Sequence, residues 1–284
     1  GTLIDGANAS RWLKIPLIGL SFQTSSLAIV VLMVYVANYL SKIHIKKLKF
    51  KDSIIPLWTP VIFILLLILP SNFSTVIIIF ISVILLAFLA GYPLKYLSII
   101  ITFSLIFLVF FILIAKSYPE LIPNRIDTWI SRIENFSSST ESGSESYQVE
   151  RAKIAISTGE IFGLGAGKSV MKNFLPQSSS DFIYAIIVEE YGLIGGVFVI
   201  ILYLLLLFRI LVVSYKAKSF FGKLITISVG LPIIIQAFLN IGVAVNIFPV
   251  TGQTLPLISS GGTSVWMTCI SFGIILSVSS FYLN

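Results

Sequence analysis

The chain has 284 residues, 57% of them hydrophobic and only 11% charged, where a soluble domain averages about 25% charged residues. No soluble globule of this length could hide so much apolar surface, because a large share of its residues must face water. The formal charge of +7 therefore reads as loop charge beside a membrane, and nucleic acid is excluded as a partner.

Gly1 opens a polar stretch without Met and without the charged start, apolar middle and cleavage site of a signal peptide. The sequence reads as the later part of a longer chain. Apolar runs of roughly 17–25 residues can cross a ~30 Å hydrocarbon core. They fall at 19–41, 54–69, 73–90, 94–115, 182–207, 224–247 and 263–281. These runs predict an all-α integral membrane protein, a polytopic helical bundle of about seven transmembrane helices, with 1–284 a single membrane domain. Only Pro70, Ser71 and Asn72 separate the second run from the third, which predicts two short helices joined by a tight turn.

Loop charge sets the orientation. The connections 42–52, 91–95 and 209–223 hold ten Lys and Arg residues against one acid, Asp52, whereas 70–72 and 248–262 hold no charge. The lysine side is read as cytoplasmic. The N-terminal stretch, 248–262 and a long loop at 116–181 then face outward. That loop is too long to be a simple connector. Its Ser137–Ser146 stretch (SSSTESGSES) reads as mobile, and 147–158 reads as a helix stopped by Gly159.

Cys269 is the one cysteine and His44 the one histidine, so neither an internal disulfide nor a Cys/His metal site is available. The run Gly163-Leu-Gly-Ala-Gly-Lys168-Ser169 misses the phosphate-loop pattern by one residue, since Phe162 stands where its first Gly belongs. The plain reading is a glycine turn beside the membrane. The sharper one has its amides and Lys168 meet a lipid-linked pyrophosphate.

Three constellations carry chemistry. Asp181 starts a membrane run, with Glu189 and Glu190 about 12–14 Å further along it at 1.5 Å per residue. Carboxylates there are a functional hypothesis by default; the structural alternatives are an N-cap for Asp181 and a buried Lys or Arg partner for the Glu pair. Gln236 and Asn240 share one helical face, either for helix-to-helix hydrogen bonds or for function. The segment PVTGQTLPLISSGGTS from Pro249, with Ser260, Gly261 and Gly262, breaks helical pattern at membrane depth. Such backbone is tolerated only when buried in protein or lining a cavity, so it reads as a re-entrant or capping structure.

These segments in this order resemble the SEDS family (shape, elongation, division and sporulation), more closely its division branch than its rod-shape branch. Further matching segments are Gly6-Ala7, Arg11-Trp12, Phe22-Gln23, Tyr147-Gln148, Ala155-Ile156, Leu175-Pro176 and Ser180-Asp181-Phe182-Ile183. The resemblance implies a family fold of ten membrane helices, of which this chain matches the last seven. It implies a peptidoglycan glycosyltransferase that polymerises lipid II in the bacterial inner membrane at the septum. Partners would be a class B penicillin-binding transpeptidase, other divisome membrane proteins and membrane lipid.

By that resemblance Asp181 is the catalytic base. Arg11, Arg125, Arg132, Lys168, Glu189, Glu190, Gln236, Asn240, Ser260, Gly261 and Gly262 are the candidate substrate contacts. No resident metal is implied, and a divalent cation (Mg or Mn) is the one cofactor the leaving pyrophosphate could use. The chain departs from the family after Phe22: Ser21, Ser26 and Ile29 stand where the family carries Arg, Glu and Lys. A lipid-linked precursor transporter and a non-catalytic division scaffold are the alternative readings.

Overall fold

The computed structural model describes residues 12–14, 21–43, 50–117, 132, 136, 144–175 and 178–280. Arg11, Arg125, Gly6, Ala7, Pro176 and the 137–143 part of the serine-rich stretch lie outside the described residues. A short antiparallel pair, β1 (Trp12–Lys14) with β2 (Ser21–Gln23), sets Leu13 opposite Phe22. The first membrane run was expected to be helical from 19. Its helix instead starts at Thr24, because Phe22 and Gln23 are taken by the strand.

The helices in chain order are α1 (Thr24–Ile43), α2 (Phe50–Ile68), α3 (Phe73–Leu89), α4 (Leu94–Ser117), α5 (Ser144–Gly159), α6 (Ile183–Lys216), α7 (Phe220–Ala244) and α8 (Gly262–Ser280). Six described helices are long and apolar enough to cross a membrane, and α3 is a shorter apolar helix. Together they occupy the seven predicted runs. The turn between α2 and α3 forms as expected: Asn72 caps α3 by accepting from the Thr75 amide at 3.2 Å. α5 begins at Ser144, inside the stretch read as mobile, and ends at the predicted Gly159.

Two compact units divide the chain at boundaries inside α6, α7 and α8, where no linker could mark them in the sequence. One comprises Gly1–Thr128, Ile210–Pro232 and Cys269–Asn284. Its core packs Leu32, Met33, Val36, Trp58, Ile79, Val83, Leu86 and Leu224. A polar knot lies inside it. Tyr92 Oη pairs with Ser53 Oγ at 2.6 Å and accepts from Trp58 Nε1 at 3.1 Å, so the polar ends of both buried aromatic residues are satisfied. The knot flanks a π-helical turn, Ile54–Trp58, around Pro56. Proline has no N–H to give, and a widened turn absorbs that loss.

The other unit comprises Trp129–Arg209 and Ile233–Thr268. Its core packs Ala152, Ala155, Leu175, Phe182, Ala185, Ile186 and Val243. α6 is broken inside this unit at Gly192, which has φ 69° and ψ −173°. A break in a membrane helix frees backbone groups that lipid cannot satisfy. Here the segment just after α5 supplies them. The amides of Leu193 and Ile194 donate to the Glu160 and Ile161 carbonyls at 2.9 and 3.3 Å. In return the amides of Leu164 and Gly165 donate to the Glu189 and Glu190 carbonyls at 3.0 and 2.9 Å. The loop is spliced into the helix.

The splice needs glycine on both sides. A β-carbon at Gly192 would stand 2.1 Å from the Ile161 carbonyl oxygen, and one at Gly163 would stand 2.3 Å from the Glu190 carbonyl oxygen. Both residues also have positive φ, which L residues avoid. Gly192→Ala is therefore expected to lower stability by about 3 kcal/mol or more. Gly273→Ala, at a helical position with nothing within 4 Å of the added carbon, should be tolerated. Thermal unfolding of the two variants in detergent checks the contrast.

Candidate functional site

Asp181 lies two residues before α6, half-buried. Ser180 Oγ donates to its Oδ1 at 3.1 Å. Its other carboxylate oxygen faces Gly252, where a β-carbon would be 3.5 Å away. The loop from Pro249 therefore runs directly beside this carboxylate.

Both partners of that approach are held from α7. Asn240 is 1% exposed, and its Nδ2 donates to the Asp181 carbonyl at 2.8 Å and to the Gln253 carbonyl at 2.6 Å. The two acceptors fix which way the amide faces. Asn240 Oδ1 is left buried without a hydrogen-bond partner among the described residues. One turn earlier, Gln236 Nε2 donates to the Thr254 carbonyl at 2.8 Å and to Thr254 Oγ1 at 3.2 Å. Helix-to-helix bonding, the plain expectation for this pair, is not what these amides do. They hold non-helical backbone.

The loop is tied down from its far end as well. Ser259 Oγ donates to the Ser180 carbonyl at 2.5 Å and accepts from the Leu255 amide at 2.7 Å. Ser260 gives both its amide and its hydroxyl to the Ser179 carbonyl, at 2.9 and 3.0 Å. Tyr203 Oη donates to the Pro256 carbonyl. Gly261 accepts from the Val265 amide at 3.0 Å, and Gly262 opens α8. Asp181, Gln236, Asn240, Ser260, Gly261 and Gly262, far apart in sequence, thus belong to one hydrogen-bonded assembly.

Glu189 and Lys168 belong elsewhere. Glu189 is 0% exposed. Its Oε1 accepts from the amides of Val170 and Met171 at 3.0 and 3.2 Å, and its Oε2 accepts from Ser169 Oγ at 2.5 Å. The expected Lys or Arg partner is replaced by two amides and a hydroxyl, so Glu189 clamps the loop and presents no oxygen to a ligand. Glu190 is half-buried beside the splice. Most amides of the glycine turn are occupied within the protein. The amides of Gly163, Leu164, Gly165, Lys168, Val170 and Met171 are all engaged by protein oxygens. The side chain of Lys168 is exposed and lies over Gly165. Arg132 is half-buried in the same unit.

Ser169, Thr254 and Ser259 lie in segments that the sequence sets apart without giving them a role of their own, and Tyr203 lies in none. The one available signal was a lone hydroxyl in an apolar run, as at Tyr203. Among the described residues no three His, Cys, Asp or Glu side chains form a metal-ligand group.

A family model described as cell cycle protein, FTSW_RODA_SPOVE, matches residues 3–283. The probable peptidoglycan glycosyltransferase FtsW of Hydrogenovibrio crunogenus is 33% identical over 98% of this chain and 69% of its own length. A solved structure of a peptidoglycan synthase complex that coordinates polymerization and crosslinking shares the fold. Its TM-score is 0.72 at 24% identity, over 99% of this chain and 76% of that one. The rod shape determining protein RodA of Thermus thermophilus gives a TM-score of 0.64 at 23% identity, over 100% of this chain and 73% of its own.

Glu189→Ala would orphan two amides and a hydroxyl and should cost on the order of 3 kcal/mol or more. Glu189→Gln keeps the shape and the acceptor for both amides and should stay within about 1 kcal/mol of wild type. Thermal unfolding in detergent measures both, and equal losses would contradict the clamp.

Proposed function

We propose, on the premise that this chain belongs to the cell cycle protein family of FtsW, RodA and SpoVE, that it is a peptidoglycan glycosyltransferase with Asp181 as its base. One observation carries the reading. The three segments that bear the family resemblance are joined by hydrogen bonds around the Asp181 carboxylate. The relative from Hydrogenovibrio, named as a glycosyltransferase, supports the activity.

The substrate is lipid II. Asp181 takes the proton from the acceptor sugar hydroxyl as that oxygen attacks the donor's anomeric carbon. The glycosidic C–O bond forms, and the bond to undecaprenyl pyrophosphate breaks. A positioned general base contributes roughly 10²–10⁴-fold. The role of the protein around it is to fix the carboxylate, by the Ser180 bond at its Oδ1 and the Asn240 bond at its own carbonyl. Charge on the departing pyrophosphate calls for cations. Lys168 and Lys172 are exposed in the same unit, and Arg132, Arg151 and Lys153 belong to it too. A divalent cation, if used, would arrive with the pyrophosphate and would supply positive charge to the leaving group, since among the described residues no three His, Cys, Asp or Glu side chains form a cage for it.

The loop charges support a cytoplasmic side for Lys216 and Lys223 and an outer side for Asp181. The location is the bacterial inner membrane at the septum. The peptidoglycan synthase complex that shares this fold supports a penicillin-binding transpeptidase as partner. The transporter reading loses support from the hydrogen bonds of Gln236 and Asn240, whose amide hydrogens are engaged by backbone carbonyls and the Thr254 hydroxyl.

The test is polymerisation of labelled lipid II by the full-length protein with its transpeptidase partner, resolved on gels. Asp181→Asn keeps size while removing the base. We expect polymer from wild type, at least about 100-fold less from the variant, and equal thermal stability. Equal polymer from both would remove Asp181 from the mechanism.

A further inference from the structure

The loop spliced into α6 carries an apolar surface that the chemistry at Asp181 does not use. Ile161, Leu164, Val170 and Phe174 are exposed, and Phe162 is 81% exposed. Ile161 and Leu164 are hydrogen-bonded through their own backbones to α6 around the break at Gly192, and Phe162 lies between them. Their depth can be read from α6. Between Glu190 and Arg209 the helix carries no charge. From Gly192 to Arg209 it rises about 26 Å at 1.5 Å per residue, just short of a ~30 Å hydrocarbon core. With Arg209 at one edge of the core, Gly192 lies just inside the other. Leu193 and Ile194, the next residues of α6, are themselves exposed and apolar, as lipid-facing residues are.

Water at that depth would solvate a large apolar loop surface unfavourably, at about 25 cal/mol per Å². Lipid would not. Lys168 and Lys172, on the same loop, are exposed and supply the positive charge that lipid phosphates attract.

We propose that residues 161–174 form an interfacial lipid anchor. Ile161, Phe162 and Leu164 enter the acyl chains of the leaflet at the Asp181 end of α6, and Lys168 and Lys172 meet its headgroup phosphates. The loop read from sequence as a glycine turn beside the membrane is then part of the membrane-embedded surface. This holds whichever reaction Asp181 performs.

The test uses the full-length protein in vesicles of phosphatidylethanolamine and phosphatidylglycerol. Nitroxide labels are placed singly through Phe162→Cys, Lys168→Cys and Val197→Cys, each with Cys269→Ser to remove the exposed native thiol. Collision with oxygen, which concentrates in lipid, is compared with collision with a water-soluble nickel chelate. The oxygen-to-nickel ratio should fall in the order Val197, Phe162, Lys168, and be several-fold higher at 162 than at 168. Should Phe162→Cys fold poorly, Ile161→Cys gives the same reading. Nickel collision at 162 or 161 as frequent as at 168 would overturn the anchor.

Discussion

The side-chain amide of Asn240 makes two hydrogen bonds on which the candidate site depends. Its Nδ2 reaches the Asp181 carbonyl and the Gln253 carbonyl at once. Each carbonyl belongs to backbone outside a helix, in a unit built of membrane helices. A buried carbonyl without a donor costs on the order of 1–3 kcal/mol, and lipid offers none. One amide therefore removes two such costs and draws the start of α6 and the 249–261 loop together. The approach of Gly252 to the Asp181 carboxylate follows from that joining.

The same constraint accounts for the splice at Gly192. There the donors and acceptors are all backbone, and the freed groups of α6 are matched one for one by residues 160–165. Glu189 then completes the junction by holding the next stretch, Ser169–Met171, through its carboxylate. Two irregular segments thus lie in one unit, each satisfied by a dedicated polar group on a neighbouring helix. Asp181 stands two residues before α6, on the stretch that leads away from the splice and into the loop assembly. Its position is set from both directions, which is what the proposed role as a base requires.

Much of this was legible in the sequence, for particular reasons. The seven apolar runs match the helices because a lipid-spanning helix must be apolar along its whole length. Asp181 stood out because a carboxylate at the head of such a run is costly, and Gly159 because a helix stop needs positive φ or close approach. Glu189 shows the limit of that reasoning. A buried carboxylate that clamps amides and one that contacts a ligand carry the same cost, so residue type and depth could not separate them. Gln236 and Asn240 stood out as polar, but their partners are mostly backbone carbonyls, which have no side-chain signature. Gly192 was hidden among Gly195 and Gly196 in an apolar run, where glycine usually serves close packing. The strands Trp12–Lys14 and Ser21–Gln23, three residues each, are too short to show a period of two.

Asn240 holds the 249–261 loop and the start of α6 in one assembly. Hydrogen exchange read by mass spectrometry tests it most directly, comparing wild type with Asn240→Leu, which keeps the volume and removes both bonds. The amides of Leu255 and Ser260 are engaged by Ser259 Oγ and the Ser179 carbonyl, so both report on the loop's attachment. Faster exchange is expected in peptides covering 249–261 and 178–182 together, with α1 to α3 unchanged. Unchanged protection in both peptides would show that the loop holds its place without Asn240, and would contradict the account.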